Sequence, residues 1–482
     1  MKDCPVYSNY IGGEWTSAAA TMESYNPATG ELVGYVQKST REDALRAIDA
    51  AEAAFRASDW GTNPKRRYEA LLALALKIEE NKEALAKWIT VEQGKTIREA
   101  RTEIAGCIDT LKYFAGASRS VFGRSIQLEP TNFGIIVKEP IGVVGLITPW
   151  NWPALLLIRE LAPALAAGNA VVVKPASLTS ICSIELIKFI DEIDFFPKGI
   201  VSIVTGPGAE VGEAMGRSAK LGMISLTGDT STGKRILEMS AVNIKKAALE
   251  LGGKSPNILF DDADFDKAIP VIGKSIFISA GQICMAGSRL IVHESIADKA
   301  VAALKRYAES LVVGNGLSET VDMGPLVSAS QVKLVEEFVE IGRQQGRIVT
   351  GGYRLTGEGY DNGNFYAPTI IADLAADCRI VKEEIFGPVL AVQTFRTDDE
   401  ALRLANDSDF GLSAGVWTTD FNRAVRFAKR IEAGTVWINT YNKNFPEAEF
   451  GGYKQSGLGR TRGVDGLNEY CETKHIHFEG EF

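Results

Sequence analysis

Residues 141–174 read IGVVGLITPWNWPALLLIRELAPALAAGNAVVVK, and the fold is decided in this stretch. Ile141–Ile147 is an apolar run, and Pro149, Asn151 and Pro153 stop it. The Leu- and Ala-rich segment that follows ends at Gly168, and Ala170–Lys174 is apolar again. Strand, helix, strand in that order predicts a βαβ unit with parallel strands. The uncharged run Ile141–Ile158 is 18 residues long, the nominal length of a membrane span. Two prolines and an amide at its centre rule out a continuous helix, so no membrane association is expected.

The alternation continues downstream. GIVSIVTG (199–206), MISLTG (223–228) and KKAALELGG (245–253) read as further buried strands, with helices expected around Ser183–Ile193, Ala209–Gly216 and Thr232–Ser240. Such a pattern predicts a parallel, doubly wound sheet, whose ligands bind beyond the carboxyl ends of the strands. Upstream, Leu45, Ile48, Ala51 and Phe55 predict an amphipathic helix over Arg41–Ala57, with further helices over Leu71–Glu79 and from Arg98 to about Phe114. Ser125–Glu139 reads as a hairpin. After SPNILFDDAD (255–264) a second α/β region begins, with a helix over Ala297–Leu311. The final CETKHIHFEGEF alternates like an edge strand able to pair with another chain.

At 482 residues, a prior of about 150 per domain suggests three parts. With 45% apolar and 23% charged residues the composition is that of a globular protein. Fifty-two basic against 61 acidic residues give a net charge of −9, so no positive field draws in nucleic acid or anionic lipid. The start, MKDCPVYSNYIGGEW, lacks the basic and apolar regions of a secretory leader. Six cysteines without a CxxC suit a reducing compartment, so a cytoplasmic location is expected. Histidine occurs only 3 times, which leaves little for a His-based relay or a His-rich zinc site, and no metal is expected.

Several residues could carry chemistry. GPGAEVG, with Gly206, Gly208 and Gly212, follows a strand and opens a helix, either as a plain turn or as a dinucleotide loop spaced one residue too long. GDTSTGKR from Gly228 resembles a P-loop, but Arg235 replaces the hydroxyl that binds Mg²⁺, so nucleotide hydrolysis is not expected. Cys284 lies in a Gly-flanked loop, as a nucleophile or as a small buried hydrophobe. Glu250 ends an apolar strand, either reaching solvent or held as a general base with a raised pKa. Asn151 is a turn amide or an oxyanion donor. Lys174 and Glu384 read equally as surface charges.

TPWNWP (148–153), LELGGKSPN (249–257), GQICMAG (281–287), EEIFGPV (383–389) and FGGYKQSGLGR (450–460) together resemble the aldehyde dehydrogenase superfamily, hydrolytic and NAD(P)-dependent, from YIGGEW to ETKHI. The spacings agree: Glu250 lies 34 residues before Cys284, and Asn151 lies 133 before it. The resemblance implies an α/β chain with a Rossmann-like doubly wound cofactor domain (1–121 and 141–252). A second α/β catalytic domain (253–455) and a small β oligomerisation arm (122–140 and 456–482) would complete a homodimer or homotetramer. Cys284 would attack an aldehyde carbon, Asn151 would hold the oxyanion, and Glu250 would activate water against the thioester. Lys174 would bind the adenosine ribose and Glu384 the nicotinamide ribose. Phe386 would pack beside the nicotinamide, with Thr148, Trp150, Gly208, Gly212, Gly228, Asp229 and Leu251 completing the cofactor site.

Three positions depart from the family pattern. Ser177 stands where many NAD-preferring relatives have glutamate, which leaves room for a 2′-phosphate near Lys174; NADP is therefore expected to be accepted, and a preference for it is the stronger form of that expectation. Asp229 replaces a serine beside the pyrophosphate and would repel it unless turned away. Arg460-Thr461 replaces the usual Arg-Glu. For the substrate, Arg159 is the clue, with Trp152 and Ile283 beside it. Succinic-semialdehyde-like and lactaldehyde-like members carry arginine at position 159, and betaine-aldehyde-like members an aromatic residue. Ile278 replaces the second arginine of the succinic-semialdehyde type. A polar or anionic aliphatic aldehyde, such as a semialdehyde, is the expected substrate, and a broad-range or betaine-aldehyde-like enzyme is the alternative. A coenzyme A-acylating dehydrogenase and a catalytically silent binding protein are more distant readings.

Overall fold

Five Val-, Ile- and Leu-rich strands form the parallel centre of an eight-stranded sheet in a computed structural model that describes residues 4–480. The sheet runs Gly457–Leu458, Lys246–Glu250, Met223–Thr227, Val143–Ile147, Ala170–Lys174, Val201–Ile203, Asn9–Ile11, Glu14–Thr16. The chain winds outward from Val143–Ile147 to one side, then returns and winds to the other. A crevice therefore opens between Val143–Ile147 and Met223–Thr227, the switch point where doubly wound sheets bind ligands. These central strands are almost wholly buried because helices cover both faces. The helix Pro153–Ala167 begins with Pro153 in its first turn, where a missing N–H costs nothing, and ends at Gly168 in the left-handed region, φ +102°.

A second sheet of seven strands contains Pro256–Leu259, Arg289–His293 and Val389–Phe395 in its parallel centre. A third sheet pairs Cys471–Glu479 with Asn132–Pro140, and that strand with Arg124–Glu129. Among the described residues no helix is long and apolar enough to cross a membrane.

Several expectations shift. The helix Lys82–Gln93 is additional to those read from the sequence. Asn81 both closes Pro64–Glu80 and opens it, so neither Gly nor Pro marks the boundary. The expected helix over Ala209–Gly216 is a π-helical turn, Gly208–Gly212, running into Glu213–Arg217. The final strand pairs with Asn132–Pro140 on one side and remains the outer strand of its sheet, as expected. The arm sheet is also smaller than the stretch 456–482: Gly457–Leu458 pairs antiparallel with Leu249 and Glu250 of the large sheet, and Gly463–Glu469 is a helix packed on Pro153–Ala167.

The loop carrying Asn151 rests on a buried ion pair. Glu103 accepts Lys95 Nζ at 2.5 Å and the backbone N–H groups of Ala154 at 2.8 Å and Leu155 at 3.1 Å, while Lys95 lies 3.7 Å over the Trp152 ring. Both side chains are fully buried, so removing one leaves the other charge without compensation. Lys95→Met is expected to cost about 3–5 kcal/mol in stability, seen as a lowered urea midpoint. An unchanged midpoint would contradict this.

Candidate active site

Cys284 is placed by a short, constrained turn. The helix Phe265–Phe277 breaks at Ile278, and Ser279 and Ala280 then adopt left-handed conformations, φ +50° and +52°. The Ser279 N–H donates to the buried Glu99 carboxylate at 2.6 Å. Gln282 fixes the next step: its Oε1 accepts from Val327 N at 2.9 Å, and its backbone carbonyl accepts from Asn151 Nδ2 at 2.8 Å. The last bond ties the loop after Val143–Ile147 directly to the thiol loop.

Two cavities meet at Cys284. One, of about 570 Å³, lies beyond the carboxyl ends of the parallel strands. Thr148, Trp150, Lys174, Gly208, Gly212, Gly228, Asp229, Glu250, Leu251, Glu384 and Phe386 all line it. The other, of about 490 Å³, is lined by Trp152, Arg159, Ile283, Met285, Tyr441, Phe445 and Arg462, among others. Asn151, Leu156 and Cys284 line both. Of the residues singled out from the sequence, Ser177, Gly206, Arg460 and Thr461 lie off both walls; Ser177 follows the lining residue Ala176, and its hydroxyl donates to Gly206 O at 3.2 Å.

Glu250 ends its strand 5% exposed, and its Oε1 has no hydrogen-bond partner among the described residues. Burial pushes its carboxyl up to about 8, with Glu160 adding to the shift and Arg159, Arg462 and Arg460 opposing it. The half-buried Cys284 thiol is pushed up to about 12, mainly by desolvation, with Arg159 opposing and Glu250 and Glu384 contributing. At neutral pH the pair is therefore an undissociated thiol facing a carboxyl in partial ionisation, a donor and acceptor suited to proton transfer.

The first cavity fits a dinucleotide. Among the described residues Thr148 Oγ1 is buried without a partner, and Lys174 Nζ has only the carbonyl of neighbouring Pro175, at 3.1 Å; burial lowers the lysine to about 8. Both groups can be satisfied by a hydroxyl-bearing ligand. Glu384 folds onto the Gly252–Gly253 turn, accepting from Gly253 N at 3.0 Å. A Cβ on Gly252 would lie 2.1 Å from Glu384 Oε2, so only glycine admits this approach. Burial raises Glu384 to about 7, against the pull of the Gly253 N–H and Lys254. Phe386 holds a left-handed φ of +56°, secured by Gln331, which donates to its carbonyl at 2.8 Å, and by the edge of Trp150 at 5.2 Å.

Asp229 stays in the cavity wall, but its carboxylate is occupied in capping the helix Thr230–Ser240. It accepts from Ser231 N at 2.9 Å and Thr232 N at 3.0 Å, and from both hydroxyls at 2.6 Å. Burial raises its carboxyl, but these bonds prevail and hold it below the usual range. Arg159 is neither a surface charge nor a free one. It is 2% exposed, ion-paired with Glu160 at 2.9 Å and donating to Thr227 Oγ1 at 2.8 Å; Tyr470 and Ser225 complete the network on Glu160. Thr461 is buried and pairs with Phe450 through mutual backbone bonds of 2.8 Å. Arg462, next to it, was not singled out from the sequence. The Arg460-Thr461 departure was the only signal near it.

A thiol between a dinucleotide-sized crevice and a separate substrate cavity, faced by an amide and a buried carboxyl, defines an NAD(P)-dependent oxidoreductase that handles its substrate through sulfur. The sequence pattern of the aldehyde dehydrogenase family matches residues 15–476, and the chain belongs to that family. It is 42% identical to a betaine aldehyde dehydrogenase of Bacillus subtilis, over 97% of this chain and 96% of that one. It is 40% identical to a peroxisomal aminoaldehyde dehydrogenase of Pisum sativum, over 97% and 94%. The crystal structure of a betaine aldehyde dehydrogenase from Staphylococcus aureus in complex with NAD+ superimposes with a TM-score of 0.96 at 40% identity, covering 98% of this chain and 94% of that one.

Proposed function

We propose that this aldehyde dehydrogenase oxidises an aliphatic aldehyde carrying a polar or anionic group. The charge lining the substrate cavity carries this reading: Arg159, Lys274, Lys443 and Arg462 face it against the single carboxylate of Asp109. The homologous betaine aldehyde dehydrogenases favour a cationic substrate, and Trp152, Tyr441 and Phe445 could supply aromatic faces to one. However, Lys95 already covers Trp152, and a quaternary ammonium would meet an excess of positive charge.

In this account Cys284 Sγ attacks the carbonyl carbon, passing its proton to Glu250, and the oxygen takes the negative charge. The Asn151 amide keeps one N–H free beside its bond to Gln282, and with the Cys284 backbone N–H it holds that oxyanion. Bound NAD(P)+ supplies the hydride acceptor, with Lys174 and Glu384 on its riboses and Phe386 against its nicotinamide. Once Glu250 has released that first proton to solvent, it takes a proton from water, whose oxygen displaces the thiolate from the resulting thioester; the acid leaves, and the proton held on Glu250 returns to Cys284. The six free cysteines fit a reducing cytoplasm. Exposed Ile476, Phe478 and Leu128 on the small sheet support its use as a dimer or tetramer arm.

An aldehyde panel scored by kcat/KM with NAD and with NADP tests the substrate class; preference for a quaternary ammonium aldehyde over a carboxylated one would overturn it. Glu250 works only when ionised, so the hydrolytic rate is expected to fall roughly tenfold per pH unit below about 8 and to level off above it. A flat profile between about pH 6 and 9 would contradict the base assignment. Ser177 leaves no carboxylate beside Lys174, and Asp229 is turned onto its own helix. Ser177→Glu is accordingly expected to lower the NADP/NAD ratio of kcat/KM by about tenfold or more. An unchanged ratio would remove the support for NADP use.

A further inference from the structure

We propose that Arg462 is the residue that recognises the far end of the substrate, binding a carboxylate on the aldehyde's distal carbon. The inference rests on the reading of the cavity as a site for anionic aldehydes and names the group within it that selects them. Of the four cations lining that cavity, Lys274 and Lys443 are exposed at its rim, and Arg159 is engaged by Glu160 and Thr227. Arg462 differs from all three. It is 8% exposed, and among the described residues its guanidinium makes no hydrogen bond and no ion pair; its one recorded contact is the Phe450 ring, 5.4 Å away.

None of its guanidinium nitrogens is sealed off, so a side chain that is largely buried overall keeps its donors open to whatever occupies the cavity. Neither Asp465, three positions on, nor Glu449, beside the paired Phe450, forms an ion pair with it among the described residues; Glu449 accepts instead from Val464 N at 3.1 Å, at the start of the helix Gly463–Glu469. The backbone also holds Arg462 at a cost. Its φ of +61° with ψ 177° is a region that L side chains rarely adopt. The flanking bonds impose it, with Thr461 locked to Phe450 and Gly463 N donating to Pro446 O at 2.8 Å. Backbone strain and a guanidinium without a hydrogen-bonded partner, its charge offset only through space by Glu250 and Glu160, thus coincide at one residue in the wall of the cavity that Cys284 also lines. An incoming carboxylate would satisfy the guanidinium through charge-assisted, bidentate bonds while the aldehyde carbon lies at the thiol.

The test compares straight-chain ω-oxo carboxylates of about four to six carbons with their methyl esters, which match them in shape and lack the charge. In the native enzyme the carboxylates are expected to exceed the esters in kcat/KM by roughly 30-fold, mostly through KM. Arg462→Met should bring the two classes close to parity, the carboxylates losing far more kcat/KM than the esters, while an unchanged circular-dichroism spectrum and melting temperature show that the variant folds. Arg462→Lys should recover part of the preference. A native enzyme that does not discriminate would overturn the anionic-substrate reading itself. Discrimination that survives in Arg462→Met would overturn only the role of Arg462. A displaced pH midpoint is expected in Arg462→Met because Arg462 opposes the rise of the Glu250 pKa, and it affects both classes alike; equal losses on acid and ester, with the native preference intact, would refute the proposal.

Discussion

The two halves of the site are joined where Leu251-Gly252-Gly253 leaves one sheet and enters the other. A side chain on Gly252 would meet Glu384 Oε2 at 2.1 Å, and one on Gly253 would meet the Cys284 carbonyl at 2.5 Å. Because both positions are bare backbone, the thiol loop and the EEIFGPV loop of the second sheet can press against the end of the strand that carries Glu250. Ser456 clamps the turn from the other side: its hydroxyl donates to Gly252 O at 2.7 Å, and its carbonyl accepts from Leu251 N at 2.9 Å. Every group in the proposed chemistry is positioned relative to this contact.

Its electrostatic consequence is a dry junction. Glu250, Glu384 and Cys284 all carry pKa values raised chiefly by desolvation, so at rest the site holds little negative charge. The buried cluster of Arg159, Glu160, Ser225, Thr227 and Tyr470 lies behind it, largely satisfied within itself. That arrangement lets the site use a carboxyl and an amide where other thiol and hydroxyl enzymes use imidazole, in keeping with the scarcity of histidine.

Much of this was legible in the sequence because it depends on local pattern. Val, Ile and Leu runs separated by Gly- and Pro-marked turns gave the parallel sheet and its switch point, and the family resemblance rested on short contiguous motifs. The remainder depends on contacts between distant segments. Arg159 reads from the sequence as a cation facing substrate, yet Thr227, 68 positions away, and the adjacent Glu160 engage it. Arg462 carries no motif, and its isolation appears only once the Phe450–Thr461 pairing and the cap from Glu449 are known. The helix after Asn81 was obscured because one residue both closes and opens a helix.

The account's central claim is that Cys284 carries the substrate as a thioester until Glu250 directs water to it. Glu250→Gln mixed with aldehyde and NAD(P)+, then quenched and digested, tests this directly by mass spectrometry. The account predicts up to one equivalent of reduced cofactor per chain, formed slowly because Cys284 has also lost its proton acceptor, and an acyl group on the peptide containing Cys284, with little acid released. Continued turnover without an acylated Cys284 peptide would contradict it.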